Sequence, residues 1–335
     1  MVDATHISFQ ANDRSYFSLL KKEIHSRILD AGMEASRAAE VDIVVAEMTS
    51  NLFKYAEGGE ILFGNFKENG TPYIELISID NGPGMHNPLR MLQDGMTTSN
   101  TLGAGLGSIK RLSDTFDLYS QPGWGTILLS RIYIGDRADE PVDWTIRPLV
   151  VSKPGEQVSG DGFTVRVSND GFKVLLGDGL GHGPEANKAV NEGAKAFKIF
   201  PDKSPTETLR FTHSCIKKTR GMVANVTQYN SETKTWSSSG IGNIAVKLIG
   251  PTASKNHMSY NGIVGHNIPT TMNDQQYSSS EFNQLVLCSD GIKTRWEVSK
   301  YPGILKHDLS ILGAAIYKDH ARQTDDMSVV VIKVK

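Results

Sequence analysis

The feature that most restricts what this chain can fold into is the polar stretch Gly135–Asp143, which reads GDRADEPVD. It contains a proline and has no apolar periodicity, so it suits a linker better than a helix or strand. A chain of 335 residues suggests about two domains at ~150 residues each. The break lets each half close its own core. The expected division is a first domain over 1–137, a linker over 138–144 and a second domain over 145–335. Apolar residues make up 39% of the chain, enough for two ordinary cores and too much for disorder.

Charge and composition exclude several classes. Lys plus Arg total 35 against 37 for Asp plus Glu, a net charge of −2. General nucleic-acid or anionic-membrane binders carry a basic excess, so neither partner is expected. No apolar run approaches the ~18 residues of a membrane span, and no signal-peptide pattern is present. Cys215 and Cys288 are the only cysteines. They match no zinc spacing, and a reduced, cytoplasmic setting is the simplest expectation. Oligomeric state cannot be read from the sequence.

The first half mixes helices and strands. Val41, Val44, Val45, Met48, Leu52, Tyr55 and Ala56 recur at helical spacing, which predicts a helix over 34–56 ended by Gly58-Gly59. Strands are expected over 61–66, 73–79 and 126–134. Glu47 and Asn51 are four apart and share one helix face. Such a carboxylate and amide can grip Mg²⁺, or the carboxylate can act as a base; a solvated pair is the plain alternative. Asp80-Asn81-Gly82-Pro83-Gly84 follows an apolar strand and could present a fixed acceptor to a base amino group, or simply turn. Leu102-Gly103-Ala104-Gly105-Leu106-Gly107-Ser108 leads into a helix expected over 108–114. Glycines before a helix start can offer N–H groups to phosphate. The polar segment before them is no strand, which argues against a dinucleotide fingerprint.

The order Glu-x-x-x-Asn, Asp-x-Gly-x-Gly, Gly-rich lid, then Gly125-Thr126 resembles the GHKL ATPase family over residues 7–134. It is most similar to the small serine kinases of bacterial partner-switching systems, the anti-sigma and stressosome switch kinases. The resemblance implies a Bergerat α/β sandwich that binds ATP. It implies Glu47 as general base, Asn51 as Mg²⁺ ligand and Asp80 as adenine contact, with Gly82 and Gly84 shaping that pocket. Gly103, Gly105 and Gly107 would line the triphosphate, and Thr126 would support the adenine end. Without a phospho-acceptor histidine helix upstream, a two-component histidine kinase is not expected.

The second half is richer in strands. A hairpin is expected around Asn169-Asp170-Gly171, with strands over 285–289 and 327–334 and helices near 184–199, 205–219 and 304–321. Four acidic motifs stand out: Ser159-Gly160-Asp161-Gly162, Gly177-Asp178-Gly179, Ser289-Asp290-Gly291 and Asp325-Asp326-Met327-Ser328. Three of them abut apolar β runs. Clustered carboxylates repel unless cations lie between them, and oxygen ligands without Cys or His suit Mg²⁺ or Mn²⁺. Any one Asp-Gly pair alone reads equally as a turn.

Together the motifs resemble the metal-dependent PPM-class serine/threonine phosphatases in their short SpoIIE-type bacterial form, over 145–335. The overall fold class implied is α+β, a Bergerat sandwich followed by a PPM-type αββα sandwich. The resemblance implies metal ligation by Asp161, Asp178, Asp290, Asp325 and the carbonyl of Gly179, with Asp178 catalytic. Asp325 is favoured over Asp326 by alignment to the family motif. Arg147 is offered as the family's phosphate-binding basic residue. His182 has either a general-acid or a supporting structural role. His213, His266 and His307 read as surface or packing residues, the four tryptophans as packing or exposed singles, and Lys217-Lys218 with Arg220 as a solvated helix end.

The combined expectation is a signalling protein with an ATP-dependent serine/threonine kinase-like half and a phosphatase half. The implied substrate is a STAS-domain or anti-sigma-antagonist protein. Two alternatives stand beside it. In one, the first half is a non-catalytic ATP-binding regulatory or partner-binding module. The other is an inactive scaffold, which the intact aspartate motifs oppose.

Overall fold

The computed structural model describes residues 5–56, 58–68, 70–91, 105–136, 143–201 and 203–335. The chain separates into two compact units. The first comprises His6–Pro141 with Ser299–Ala315; the second comprises Val142–Val298 and Ile316–Lys335. The segment 299–315, which the sequence assigned to the second half, therefore packs with the first.

In the first unit the strands are β1 (Ile7–Gln10), β2 (Glu60–Glu68), β3 (Thr71–Ile79), β4 (Thr115–Gln121) and β5 (Gly125–Tyr133). They form one antiparallel sheet in the order β1-β2-β3-β5-β4. The helices are α1 (Phe17–Asp30), α2 (Ala35–Tyr55), α3 (Pro88–Met91) and α4 (Gly105–Leu112). The expected helix over 34–56 is α2. Its Val41, Val44, Val45, Met48 and Leu52 enter a core with Ile24 and Ile28 of α1, Ile74 and Leu76 of β3, and Leu128 and Ile132 of β5. The sequence reading did not pick out α1.

Strand side chains alternate between faces. The even-numbered Ile74, Leu76, Leu128 and Ile132 join the helical core, so Glu75, Arg131, Asp117, Tyr119 and Gln121 point to the opposite face. Residues 299–315 lie there. Arg131 Nη2 and Nε donate to Glu75 Oε2 at 2.6 and 3.0 Å, and Nη1 donates to Asp308 Oδ2 at 3.1 Å. Ser310 Oγ donates to Glu75 Oε2 at 3.1 Å. Arg131 is 1% and Glu75 2% exposed. Burial disfavours the guanidinium charge, but Glu75 and Asp308 hold its pKa well above the ordinary arginine value.

The second unit holds two five-stranded antiparallel sheets. One contains β7 (Asp161–Ser168), β8 (Gly171–Gly179), β9 (Met222–Asn230), β10 (Thr235–Ile241) and β13 (Gln275–Ser278). The other contains β6 (Trp144–Val151), β11 (Ala245–Ile249), β12 (Ser254–Asn256), β14 (Gln284–Cys288) and β15 (Met327–Val334). The expected hairpin at Asn169-Asp170-Gly171 joins β7 to β8. Phe172 of the first sheet meets Trp144 of the second at 5.3 Å between ring centroids, and the Trp236 indole donates to the Phe282 carbonyl at 2.8 Å. Helices α5 (Pro184–Ile199) and α6 (Pro205–Cys215) bury Val190, Phe197 and Leu209 against Leu175, Ala224 and Val226.

Three helices differ from expectation. The one expected over 108–114 is α4, Gly105–Leu112, so Gly105 and Gly107 lie inside it rather than before it. Helix α6 stops at Cys215, short of 219, because a turn from Thr219 N to the Ile216 carbonyl follows. The expected 304–321 helix breaks into a short 3-10 turn, Ile304–Lys306, and α7 (Leu309–His320). The Asp308 carboxylate accepts from Ser310 N at 2.9 Å, a side-chain cap that starts α7 there.

Replacing Arg131 with Ala takes the guanidinium from buried Glu75 and leaves it with His6 and the Ser310 hydroxyl as partners. The first unit should lose about 3–5 kcal/mol, read as an earlier urea transition of its helical signal. A change below about 1 kcal/mol would contradict a buried, charge-paired role.

Candidate functional site

The nucleotide-type residues come together in the first unit. Glu47 and Asn51 lie on α2, one turn apart. The start of α4 approaches them so closely that a Cβ at Gly105 would sit 2.7 Å from Glu47 Oε2 and 3.8 Å from Asn51 Oδ1. A side chain there would push the Glu47 carboxylate aside. Asp80 closes β3. Its Oδ1 accepts from Gly82 N at 2.8 Å and Thr126 N at 3.1 Å, and these donors fix its orientation. Thr126 Oγ1 lies 3.0 Å from Ser120 Oγ, which also accepts from Met85 N at 2.8 Å. Gly84 has φ +67°, and a Cβ there would lie 1.9 Å from the Gln121 carbonyl. Gly107 is buried in α4. Gly103 lies outside the described residues.

The aspartates gather at one end of the second unit's sheets. Asp161 and Asp178 face each other across β7 and β8. Asp161, 1% exposed, accepts from Ser289 Oγ at 2.6 Å and Ser328 Oγ at 2.7 Å, both on Oδ2. Asp290 Oδ2 accepts from Asn243 Nδ2 at 2.9 Å. Asp325 Oδ1 accepts from Asp326 N at 2.9 Å. The two neighbours differ in what they hold. Asp326 is buried and takes the N–H groups of Lys153 and Gly160, one on each oxygen, both at 2.9 Å. Asp326 thus anchors the loop before β7. The Gly179 N–H donates to the Gly160 carbonyl at 3.0 Å.

The electrostatics match the crowding. Burial, then Asp161, Asp290 and further carboxylates, push Asp178 up to about 9. Burial pushes Asp161 to about 7 against the serine hydroxyls that favour its charge. Burial also raises Asp326. Buried carboxylates that raise one another's pKa fit a divalent cation, which would restore their charge. Among the described residues, no three or more His, Cys, Asp or Glu side chains converge as a closed metal-holding group. The set is an acidic cluster rather than a finished cage.

No family model matches the chain. Over 88 residues, 26% of this chain, it is 36% identical to the serine/threonine-protein kinase RsbT of Bacillus subtilis (strain 168). The matched region lies in the N-terminal portion and spans 66% of that kinase's length, just under two thirds. RsbX in complex with magnesium matches at a TM-score of 0.52 and 16% identity, over 59% of this chain and 99% of that chain. A chain from the bacterial stressosome, a modular system adapted to control secondary messenger signalling, matches at 0.52 and 22% identity, over 57% and 100% of the two chains. The chain joins an RsbT-like region to a PPM-type phosphatase fold.

Several residues sit elsewhere than the sequence suggested. Arg147 is 8% exposed in β6, paired with Val331. That is four residues, about 13 Å, along the strand from the end that carries Asp326. Arg220 was read as part of a helix end. Helix α6 has already stopped, and the Arg220 guanidinium lies over Gly181, 3.2 Å from where a side chain there would begin. His182 pairs with Glu156 at 2.6 Å. His307 fits its packing reading: it bonds Asp117 at 2.8 Å and packs on Tyr119. Ser289 and Ser328 stood inside the acidic motifs, but only the fold makes them donors to Asp161. Asn243 carried no signal in the sequence.

In the folded chain Asp178 and Asp161 hold protons that an unfolded chain, with aspartates near ~3.9, would have released. Without metal, stability should therefore fall as pH rises from about 4 to about 9. Mn²⁺ should raise the unfolding midpoint more at about pH 8 than at about pH 5. Thermal melts in EDTA and in Mn²⁺ check this, and equal shifts at both pH values would count against this cluster as the cation's seat.

Proposed function

We propose that this chain is a cytoplasmic signalling protein pairing a metal-dependent phosphoserine/phosphothreonine protein phosphatase with an ATP-binding, kinase-like region. The observation that carries the reading is geometric: Asp161 and Asp178 face each other across β7 and β8, and burial with Asp161, Asp290 and Asp325 raises the Asp178 carboxyl, on a phosphatase-type fold. Mg²⁺ or Mn²⁺, held by Asp161, Asp178, Asp290, Asp325 and the Gly179 carbonyl, would supply a hydroxide nucleophile and neutralise phosphoryl charge. Asp178 is the carboxylate whose proton a cation must displace at neutral pH. The hydroxyls of Ser289 and Ser328 keep Asp161 aimed. Asp326 holds the Gly160 loop in place. No cysteine nucleophile is involved: Cys288 is buried, its thiol pushed up to about 12 by burial.

In the first unit Asp80 would accept from the adenine amino group, Asn51 would ligate Mg²⁺, and Gly105 and Gly107 would lie along the phosphates with Gly103. Glu47 is placed to take the proton of a substrate hydroxyl. The partner is a protein of the STAS or anti-sigma-antagonist kind. With both activities on one chain, each would work at a raised effective concentration of the same target. A second reading keeps the pocket as an ATP-binding regulatory module without phosphoryl transfer. It is favoured by the shared hairpin described in the next subsection.

Asp178→Asn should abolish Mn²⁺-dependent hydrolysis of a phosphoserine peptide while far-ultraviolet circular dichroism stays unchanged. Near-normal turnover would remove Asp178 from the site. Asn51→Ala should weaken Mg·ATP binding by at least about tenfold in calorimetry. Glu47→Gln should stop label transfer from ATP to a STAS-type protein, whereas a wild-type chain that binds ATP and never transfers label selects the regulatory reading.

A further inference from the structure

Residues 299–315 cover the face of the first unit's sheet opposite its helices, and the way they are held is specific. Asp308 bonds Arg131, and its N–H donates to Asp117 Oδ2 at 2.7 Å. His307 bonds Asp117 at 2.8 Å and packs on Tyr119 with ring centroids 5.2 Å apart. Burial pushes the Asp117 carboxyl up, but His307 and the backbone donors outweigh it and leave its pKa below the usual value. Tyr119 OH donates to the Pro302 carbonyl at 3.3 Å, and Trp124 packs edge-on against Tyr301 at 5.8 Å.

The same short stretch of chain also builds the nucleotide-type pocket. Along β4, Tyr119 and Gln121 face the 299–315 segment, while Ser120 between them faces Met85 and Thr126. In the turn that follows, Gly123 N donates to the Pro83 carbonyl at 2.7 Å, and the Gln121 carbonyl abuts Gly84. The Asp80–Gly84 loop thus bears directly on the β4–β5 hairpin that grips this segment. Strand alternation makes the two faces of one hairpin a lever.

The ends of the segment lead to the acidic cluster. Within the second unit, Ile292 bridges Ala321, Lys293 N donates to the His320 carbonyl at 2.9 Å, and Arg322 N donates to the Gly291 carbonyl at 2.8 Å. This closure lies two residues after Asp290 and four before Asp325. A Cβ at Gly291 would lie 1.9 Å from the Asp326 carbonyl, so the closure and both aspartate loops are tightly fitted.

We propose that residues 299–315 are a strap through which nucleotide bound in the Asp80 pocket sets the position of the Asp290 and Asp325 loops, and so the phosphatase rate. The inference rests on the two-site reading above and adds the physical route between the sites. The coupling needs the nucleotide to favour one arrangement of the hairpin over another.

The test uses the full chain, a non-hydrolysable ATP analogue with Mg²⁺, and Mn²⁺-dependent hydrolysis of a phosphoserine peptide. The analogue should change wild-type turnover by at least about fivefold. Asp308→Asn combined with Gln121→Ala should make turnover the same with and without analogue, while calorimetry still shows analogue binding. Gln121→Ala alone, which removes one half-exposed amide, should reduce the response. In the wild type, hydrogen exchange of peptides covering 299–315 should shift when the analogue binds. A double variant that responds like wild type, or strap exchange indifferent to bound analogue, overturns the inference. So does a wild-type chain that binds the analogue and hydrolyses the peptide at an unchanged rate. A wild-type chain that binds no analogue or hydrolyses no peptide overturns the two-site reading itself, and the inference with it.

Discussion

A carboxylate in a nearly dry place organises the second unit. Asp161 is buried between two sheets, and each sheet edge treats it differently. Asp178 faces it from the neighbouring strand of its own sheet and repels it. Ser289 and Ser328, from the other sheet, hold it by two hydroxyls. Hydrogen bonds to a charged acceptor contribute roughly 1.5–3 kcal/mol each, while an unpaired buried ion costs several kcal/mol. The serines therefore fix the carboxylate's direction without removing its need for a countercharge. A cation placed there would supply that countercharge.

The first unit solves a buried-charge problem in the opposite way. Arg131, Glu75 and Asp308 satisfy one another inside the protein, with Ser310 completing the set. One pair of strand residues and one distant segment are thereby committed to a single arrangement. Buried ion pairs contribute less to stability than their geometry suggests. Their value here is positional, because Arg131 accepts only a carboxylate at the place where Asp308 sits. The strap is held in one register on the sheet face, beside the hairpin that also shapes the Asp80 pocket.

Much of the candidate chemistry was legible because it sits in short motifs at element ends. Glu47 and Asn51 needed only helical spacing to share a face. Asp80 could be placed at a strand end because the preceding run, TPYIELISI, is nearly continuous in apolar residues. That same run hid Glu75. A lone charge inside a strand buried on both faces gives no periodic signal, and its partners Arg131 and Ser310 lie 56 and 235 residues away. Arg147 shows what residue type alone leaves open. A basic residue early in the domain has the right type, but the β6–β15 register puts it well up the strand. The Lys153 and Gly160 N–H groups that Asp326 accepts are placed by no spacing rule.

By itself the sequence determined two cores on either side of a polar break, the helices and strands with strong periodicity, and the four acidic loops at strand ends. These are local properties, set by side-chain period and turn chemistry. Tertiary structure alone decided which unit owns residues 299–315, which aspartate of the last motif is already occupied, and which serines hold Asp161. Each of those outcomes depends on hydrogen bonds between residues far apart in the chain, and such contacts form only once strand register has brought both partners to the same edge.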